Sequence, residues 1–240
     1  RLDYSETSQV MVLFTREHGK VRAIAKGIKR GTKARFAVGV DLLDVGHVVF
    51  SSRGERSDTL ATLTEWKPSR SLWGLREKLF RIHAGQYAAE VTAHLTEDWD
   101  AHADLFDALV STLVALTDAP EPLDLVTRYQ FAILDSIGSL PRFDTCVLCD
   151  RKEDLTHFSS FEGGLICRHC EPGQVEKREI STGTVKALGA SMVHDDHCSQ
   201  SSGAPAGVFT VLNYHIAHLM GREPVMGSTL VSRFAQRVVE

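Results

Sequence analysis

The N-terminal fold is decided by Val10-Met11-Val12-Leu13-Phe14 and by Val21-Arg22-Ala23-Ile24-Ala25. Both runs are rich in strand-forming residues, and His18-Gly19-Lys20 lies between them at the length of a hairpin connection. The pattern predicts two antiparallel strands. The chain therefore begins with β structure rather than with a helix.

Three further strand-like runs follow this hairpin, at residues 36–43, 48–50 and 59–63. Gly46 precedes the second run, and a polar loop at residues 51–58 precedes the third. About five short strands without an interleaved helix predict a small all-β barrel or sandwich over residues 1–67. Such a barrel leaves its loops free to bind a ligand.

After Pro68 the spacing of apolar residues lengthens to about 3.6, which indicates helices. The second predicted helix carries Leu105, Leu109, Leu113 and Leu116, and the third begins near Leu123 and ends at Gly138. The first carries Leu72, Leu75, Leu79, Ile82 and either Gln86 or Tyr87 on one face, which Val91 and Leu95 extend. We expect these three helices to pack antiparallel as a bundle. With weaker helices at 184–192 and 208–220, they form a predicted helical domain over residues 68–240.

Charge is distributed unevenly along the chain. Residues 1–35 hold nine bases and three acids, whereas residues 81–145 hold three bases and eleven acids. This asymmetry suggests two surfaces with different partners.

No run of about 18 apolar residues occurs, and Arg1-Leu2-Asp3-Tyr4 does not resemble a signal peptide. We therefore expect a soluble, cytoplasmic protein with no membrane partner.

A basic segment at residues 26–35 follows the first hairpin. It reads Lys26-Gly27-Ile28-Lys29-Arg30-Gly31-Thr32-Lys33-Ala34-Arg35 and holds five cations. Clustered cations repel one another unless a polyanion neutralises them, and glycine lets the backbone approach phosphates. A solvated loop is the simpler interpretation of most charge runs. The density of charge beside a predicted barrel favours nucleic-acid binding.

Four cysteines form the strongest local motif. Cys146-Val147-Leu148-Cys149 is followed, seventeen residues later, by Cys167-Arg168-His169-Cys170. Each Cys-x-x-Cys places two thiolates where both can reach one ion, and two such knuckles make the tetrahedral sulfur site that zinc prefers. The spacing predicts one structural Zn²⁺ per chain in a module of about residues 142–175.

Other interpretations of the cysteines fit less well. Disulfides are rare in the cytosol, and a thioredoxin-like motif needs a βαβ context that is absent here. A catalytic zinc needs an open position, whereas four thiolates fill the shell. The Pro-Cys-x-x-Cys of a zinc deaminase does not follow His169. Cys198 is left over in a polar loop, as a solvated residue or as part of an accessory metal site.

Eight short motifs occur in order along residues 4–190. They are Ser5-Glu6-Thr7, Phe14-Thr15-Arg16-Glu17-His18-Gly19-Lys20, Ala25-Lys26-Gly27-Ile28-Lys29-Arg30, Tyr87-Ala88-Ala89-Glu90, Leu105-Phe106, Gly138-Ser139-Leu140-Pro141, Asp144-Thr145-Cys146-Val147-Leu148-Cys149 and Phe161-Glu162-Gly163-Gly164-Leu165-Ile166-Cys167. Together these motifs resemble the bacterial DNA repair protein family RecO.

The resemblance implies a multidomain α+β protein, with an N-terminal OB-fold barrel and a helical domain that carries the zinc module. It also implies a nucleoid-associated, non-enzymatic mediator that binds single- and double-stranded DNA and anneals complementary strands. RecR, single-stranded DNA-binding protein and, indirectly, RecA are the implied protein partners. Arg81 or Arg128 is a candidate for the basic rim that an acidic partner tail needs.

The predicted phosphate contacts come from eight cations of the first 35 residues: Arg16, Lys20, Arg22, Lys26, Lys29, Arg30, Lys33 and Arg35. Such contacts hold a strand without reading its sequence. The chain has no Walker A loop, so no ATP dependence of its own is expected. An alternative is a zinc-containing adaptor whose helices bind proteins and which has no annealing activity of its own.

Overall fold

The computed structural model describes residues 2–3, 8–26, 40–52, 60–191 and 206–236. The chain divides into two compact units, Arg1–Pro120 (unit 1) and Glu121–Glu240 (unit 2). Each unit contains both a β-sheet and helices. The last strand of unit 1 ends at Arg70, three residues beyond the predicted boundary at 67/68, whereas unit 1 extends to Pro120 because two helices pack with its sheet.

Unit 1 contains a five-stranded sheet. Its strands are β1 (Leu2–Asp3), β2 (Gln9–Thr15), β3 (Gly19–Ala25), β4 (Val45–Ser51) and β5 (Ala61–Arg70). The order across the sheet is β1-β2-β3-β5-β4, with β3 and β5 parallel and all other pairs antiparallel. Register shifts in the β4–β5 ladder bend the long strand β5, because an extra residue on one strand increases the local twist.

The predicted hairpin of β2 and β3 is present. In the described residues the strands form one sheet with β1 and β4 at its edges, where the sequence predicted a barrel or a sandwich. The predicted strand at 36–43 lies mostly outside the described residues, and its last part, residues 41–44, is a turn in which Asp44 N donates to Asp41 O over 3.3 Å. That turn forms because Asp41 and Asp44 both bond to local backbone.

The core of the sheet combines small and large side chains. Ala23 faces Ala61 across the β3–β5 pair, and both are fully buried. The remaining core residues are Met11, Val21, Ala25, Leu63 and Trp66. Alternation of buried and exposed residues is weak in β3, because a central strand is covered on both faces.

Helices α1 (Leu79–Leu95) and α2 (Ala103–Leu116) complete unit 1. A 3₁₀ turn, Trp73–Arg76, precedes α1, so the predicted single helix from Leu72 is in fact two elements. The four leucines predicted for α2 are buried, but Leu79 of α1 is 70% exposed. Leu79 is the first residue of its helix, and the buried face of α1 holds the predicted Tyr87 and Val91 together with Ala84 and Ala88.

Unit 2 begins with α3 (Leu123–Ser136) and contains a three-stranded sheet of β6 (Leu155–Ser159), β7 (Gly164–Cys167) and β8 (Arg178–Glu179). Helices α4 (Thr182–Ser191), α5 (Ala206–Met220) and α6 (Gly227–Gln236) follow. Of the three helices predicted as a bundle, α1 packs against α2 within unit 1, and α3 packs against α5 within unit 2. Helix α6 was not predicted.

No helix in the part of the chain that the structure describes is both long and apolar enough to cross a bilayer.

The β2–β3 turn supports the segment that connects α1 to α2. Gly19 has a φ of 62°, and a Cβ built there would lie 1.8 Å from the backbone oxygen of Asp100. Only glycine accepts both the left-handed backbone and this close approach. The turn and the α1–α2 connection therefore fit against each other through their backbones.

We predict that Gly19→Ala lowers the melting temperature of the protein, because the new methyl group collides with Asp100. Gly138→Ala is the matched control, since Gly138 also has a positive φ of 67° but no atom lies within 4 Å of its Cβ position. Left-handed backbone alone costs about 1 kcal/mol in a residue other than glycine. Thermal melts by circular dichroism should show the larger fall for Gly19→Ala, and equal falls would contradict the packing argument.

Candidate metal centre and nucleic-acid surface

Two tight turns present the four cysteines. In the first, Cys146 N donates to Arg151 O over 2.8 Å and Asp150 N donates to Cys146 O over 2.9 Å. Asp150 adopts a φ of 57°, which reverses the chain after Cys149. In the second, Cys170 N donates to Cys167 O over 3.1 Å at the end of β7. Each turn therefore brings its two sulfur atoms to the same side.

The four Sγ atoms of Cys146, Cys149, Cys167 and Cys170 all lie within 4.8 Å of one another. The Sγ atoms of Cys149 and Cys167 are 3.7 Å apart. A tetrahedral zinc site with Zn–S bonds of about 2.3 Å has sulfur atoms about 3.8 Å apart. The spacing of the thiols is therefore compatible with a zinc ion between them.

The environment of the thiols favours a bound cation. Burial raises the pKa of the Cys146 thiol, but backbone N–H groups, first that of Cys167, outweigh it and lower the pKa to about 7. The hydrogen bond with Cys149, followed by burial, raises the pKa of Cys170 to about 12. Four crowded thiols do not all ionise by themselves, whereas a divalent cation stabilises all four thiolates.

The β6–β7 hairpin holds the two turns together. Val147 N donates to Leu165 O and Leu165 N donates to Arg142 O, over 2.9 and 3.0 Å. A Cβ on Gly164 would lie 2.4 Å from Arg142 O, so the strand can approach this closely only with glycine there. The backbone thereby fixes the distance between the two cysteine pairs.

Aromatic residues connect the hairpin to the core of unit 2. Phe143 and Phe158 are buried and stack with ring centroids 6.2 Å apart. Phe161, at the hairpin turn, is by contrast 85% exposed. Its position follows from the turn, which directs the side chain away from the sheet.

Glu176 fixes that hairpin turn. Its carboxylate accepts hydrogen bonds from Phe161 N over 2.9 Å, from Ser159 Oγ over 2.7 Å and from the hydroxyl of Tyr214. Burial alone would raise the pKa of Glu176, but these donors lower it below its ordinary value. His215 adds a second link, with Nδ1 2.7 Å from Ser160 Oγ and Nε2 3.0 Å from Ser139 O. Burial lowers the pKa of His215 and favours its neutral form.

Lys20 lies inside unit 1 rather than on its surface. The residue is 8% exposed, and its ammonium donates to the backbone oxygens of Ala93 and Thr96 at the end of α1. Asp98 Oδ1 lies 3.3 Å away. The predicted phosphate contact from Lys20 therefore does not fit its position, and the residue acts instead as an internal cap of α1.

Arg16 and Arg22 occupy the surface but have carboxylate partners. Arg16 forms a two-pronged pair with Asp107, at 3.0 to 3.2 Å, and this hydrogen bond lowers the pKa of the carboxyl. Arg22 Nε lies 3.0 Å from Asp98 Oδ2. The Arg16–Asp107 pair is exposed on both sides and contributes little stability, so Arg16 can exchange its partner for a phosphate at low cost, whereas the partner of Arg22 is a buried carboxylate. Lys26 is exposed at the end of β3.

The other predicted phosphate contacts, Lys29, Arg30, Lys33 and Arg35, lie outside the described residues, as does Cys198. Of the candidates for a basic rim, Arg81 is buried: it donates to Ala119 O over 3.0 Å and to Gly74 O over 3.2 Å. It satisfies backbone groups around the end of α2 and is not available to a partner. Arg128 is exposed.

Comparison with known proteins links the two parts of the chain to one family. Residues 1–72 match the family model described as recombination protein O N terminal, and residues 76–197 match recombination protein O C terminal. The chain is 32% identical over 191 residues to DNA repair protein RecO of Rhodopirellula baltica, covering 78% of this chain and 70% of that one.

The chain belongs to the RecO family. It is also 34% identical over 173 residues to DNA repair protein RecO of Bacillus cereus, covering 72% of this chain and 68% of that one. These names connect the RecO-family protein described here with DNA repair and recombination. The family resemblance drawn from the sequence motifs is thereby confirmed.

Sequence reasoning missed Asp98, the acid that both Lys20 and Arg22 contact. Asp98 stands in Glu97-Asp98-Trp99-Asp100, which the charge pattern grouped with an acidic surface. Its side chain is only 6% exposed. Nothing local in the sequence distinguishes it from its acidic neighbours, because its partners lie more than seventy residues earlier in the chain.

We predict that Lys20→Met lowers the free energy of unfolding by about 3 kcal/mol, because it breaks a buried ion pair and leaves helix carbonyls without their donor. Lys26→Met is the control, since an exposed substitution changes stability by about 0.5 kcal/mol or less. Urea unfolding of the RecO-family protein and both variants, followed by circular dichroism, measures the difference. Equal stability of the two variants would mean that the Lys20 side chain is exposed to solvent and available to a phosphate.

Proposed function

We propose that this RecO-family protein is a non-enzymatic mediator of recombinational DNA repair that binds single- and double-stranded DNA and anneals complementary strands. The observation that carries the proposal is the concentration of cations in residues 16–35, within the part that matches the N-terminal family model. Nine bases against three acids over residues 1–35 suit a polyanion better than a protein partner of mixed charge.

The sheet of unit 1 supports this proposal. Its strand order, with β3 and β5 parallel, fits the five-stranded Greek-key barrel of an OB-fold, a fold that commonly binds oligonucleotides. We propose that β1 and β4 close the barrel. The basic segment at residues 26–35 directly follows β3, the central strand of the sheet, in the sequence.

Annealing follows from charge neutralisation. Two DNA strands repel each other through their phosphates, and a protein that neutralises phosphates on both strands lowers this repulsion. Exposed Arg22 and Lys26, together with Lys29, Arg30, Lys33 and Arg35, are the proposed contacts, with Arg16 joining them when it leaves Asp107. Lys20 is not among the proposed contacts, because its ammonium donates to backbone oxygens inside unit 1.

We further propose that the protein acts at the bacterial nucleoid in the cytoplasm. It would work with RecR and single-stranded DNA-binding protein and help RecA load. These partners follow from family membership. The alternative is an adaptor in which the helices bind other proteins and DNA contact is incidental. The exposed Phe161 and Val175 of unit 2 are compatible with such a docking role.

Zinc is the proposed structural cofactor, held by Cys146, Cys149, Cys167 and Cys170. When bound, it supplies a cross-link between the two cysteine turns and neutralises their thiolates. The small β6–β7–β8 sheet has few buried side chains besides Phe158, Leu165 and Ile166, so metal binding would contribute much of its folding free energy.

We predict that DNA binding depends steeply on salt. If about five phosphate contacts form, the plot of log K against log[salt] should have a slope of about −3.5 for single strands, because each contact releases condensed counterions. Reversal of Lys29, Arg30 and Lys33 to Glu should abolish binding and annealing. Fluorescence anisotropy with labelled oligonucleotides measures the binding constants, and a labelled-strand annealing assay measures the annealing rate.

The control reverses Arg151, Lys152 and Arg168 to Glu, three exposed cations of unit 2. This variant has the same change in net charge and should retain most of the affinity for DNA. Loss of binding in both triple variants would mean that only net charge matters. If the variant with Lys29, Arg30 and Lys33 reversed binds DNA fully, the basic segment is not the DNA-binding site, and the adaptor function is favoured.

We predict about one zinc ion per chain by elemental analysis of the purified protein. Cys146→Ser should reduce the zinc content and lower the melting temperature, because a serine hydroxyl is a poor ligand for zinc and Cys146 is fully buried. Cys198→Ser is the control, since it removes the fifth cysteine and should leave zinc content and stability unchanged. A metal-free protein of undiminished stability would rule out the structural role.

A further inference from the structure

The four cysteines of the metal centre differ in their exposure to solvent. Cys146 and Cys167 are fully buried, Cys170 is partly buried and Cys149 is exposed. Exposure has little bearing on a structural cross-link, but it decides where a cysteine sulfur is oxidised, because the oxidant must reach the sulfur atom. The structure therefore distinguishes Cys149 from the other three ligands.

Cys149 lies on the outer side of the first cysteine turn. Its neighbours Leu148 and Asp150 are exposed as well. Cys146, at the other end of the turn, is directed inward, and its Sγ atom accepts a hydrogen bond from Cys167 N over 3.4 Å. Cys149 is thus the cysteine of this turn that a small molecule reaches from solvent.

Cys167 provides Cys149 with a reaction partner. The two Sγ atoms are 3.7 Å apart, although the residues are separated by 18 positions in the chain and belong to different turns. The backbone of Cys167 is fixed by the hairpin, because this residue ends β7 and pairs with Leu155 of β6. Sulfur atoms in a disulfide are about 2.05 Å apart, so the two atoms need to approach by only about 1.7 Å. A disulfide between the two turns is therefore within reach of small side-chain movements.

We propose that Cys149 is an oxidation site for hydroperoxides, and that its oxidation leads to a disulfide with Cys167. The inference rests on the proposed zinc site and goes beyond it, because it assigns a redox reaction to two of the four ligands. Oxidation removes both thiolates from the metal, so that Cys146 and Cys170 remain as its protein ligands. Structural zinc sites almost always have four ligands, so two of them hold the ion poorly. Release of zinc therefore accompanies the disulfide.

Hydrogen peroxide, the simplest oxidant of this class, illustrates the reaction. The thiolate of Cys149 attacks one peroxide oxygen, the O–O bond breaks, hydroxide leaves and a sulfenic acid forms. The thiolate of Cys167 then attacks the sulfur of this sulfenic acid, the S–S bond forms and a second hydroxide leaves. Each sulfur atom loses one electron and each peroxide oxygen gains one. The reaction needs no oxidant other than the peroxide.

The position of this disulfide determines its effect on unit 2. A bond between Cys149 and Cys167 joins the two cysteine turns, as the proposed zinc ion does, and it restricts the unfolded chain over 18 positions. A bond within one Cys-x-x-Cys turn would leave the two turns unconnected. We therefore expect the oxidised protein to lose zinc without losing the cross-link, and to recover both thiols when a thiol reductant is added. Disulfides in cytosolic proteins are usually of this transient, redox-sensing kind.

The test oxidises the purified, zinc-loaded, full-length chain with hydrogen peroxide. Released zinc is measured with a chromogenic chelator, and disulfides are located by mass spectrometry of unreduced peptides after the free thiols have been alkylated. The expected product is a peptide pair that joins Cys149 to Cys167, formed in parallel with the release of zinc. A main product that joins Cys146 to Cys149, or that contains Cys170, would overturn the proposal.

Competitive labelling tests the order of reactivity without any substitution. A brief exposure to limiting N-ethylmaleimide should modify Cys149 before the buried Cys146 and Cys167, and labelling of a buried cysteine first would contradict the proposal. Cys198→Ser is the matched control, because it removes the fifth cysteine and retains all four ligands. This variant should release zinc and form the same disulfide as the wild-type protein. Loss of the disulfide in Cys198→Ser would overturn the proposal, because Cys198 would then be the reacting thiol.

Thermal melts test whether the disulfide replaces the metal as a cross-link. They compare the zinc-bound protein, the reduced protein after zinc has been removed by a chelator, and the oxidised protein without zinc. The oxidised protein should melt at a higher temperature than the reduced zinc-free protein, because the disulfide still joins the two turns. Equal melting temperatures of the two zinc-free forms would overturn the cross-linking role.

The possible outcomes separate this inference from the proposed zinc site. If the purified protein binds zinc and Cys146→Ser lowers its stability, but peroxide forms no disulfide between Cys149 and Cys167, the oxidation proposal is wrong and the structural zinc stands. If the reduced protein contains no zinc, the proposed cofactor fails, and peptide mapping alone decides whether the two cysteines form the disulfide. Neither result bears on the proposed DNA contacts of unit 1.

Discussion

The buried ammonium of Lys20 is the interaction on which unit 1 depends. It extends from the central strand β3 to the last carbonyls of α1, where the helix dipole favours a positive charge, and it lies 3.3 Å from the carboxylate of Asp98. Trp99 N donates to Lys20 O over 2.9 Å, so backbone and side chain of one residue both hold the α1–α2 connection. Since a buried charge without partners is costly, sheet and helix must fold together, which explains why the compact unit extends beyond the strands.

Unit 2 differs from unit 1 in what can stabilise it. Its three-stranded sheet is too small to bury much apolar surface, and two turns of backbone bring four thiols within 4.8 Å of one another. Without a cation this arrangement concentrates polar sulfur groups at low stability, whereas a bound zinc ion converts it into a cross-link. Glu176 and His215 then hold the remaining end of the hairpin by hydrogen bonds to its turn. The two units thus reach stability by a buried ion pair in one and by a cysteine cluster in the other.

This division gives the proposed activity a physical basis. Unit 1 exposes Arg22 on its central strand β3 and Lys26 directly after it. Phosphate contacts from such cations are independent of sequence and weaken with salt. A protein that holds strands loosely through their phosphates, and so lowers the repulsion between them, has the properties that annealing requires.

The sequence by itself determined the hairpin of β2 and β3, the buried face of α2 and the four-cysteine motif, because each is set by spacing within a short stretch of chain. It also determined family membership, since motifs in a fixed order need no coordinates. Only the tertiary structure decided that Lys20 is buried while Lys26 is exposed, that Phe161 is exposed and that α3 packs with α5. The environment of these residues is created by partners far away in the chain, as Asp98 is for Lys20, and local residue patterns carry no information about such partners.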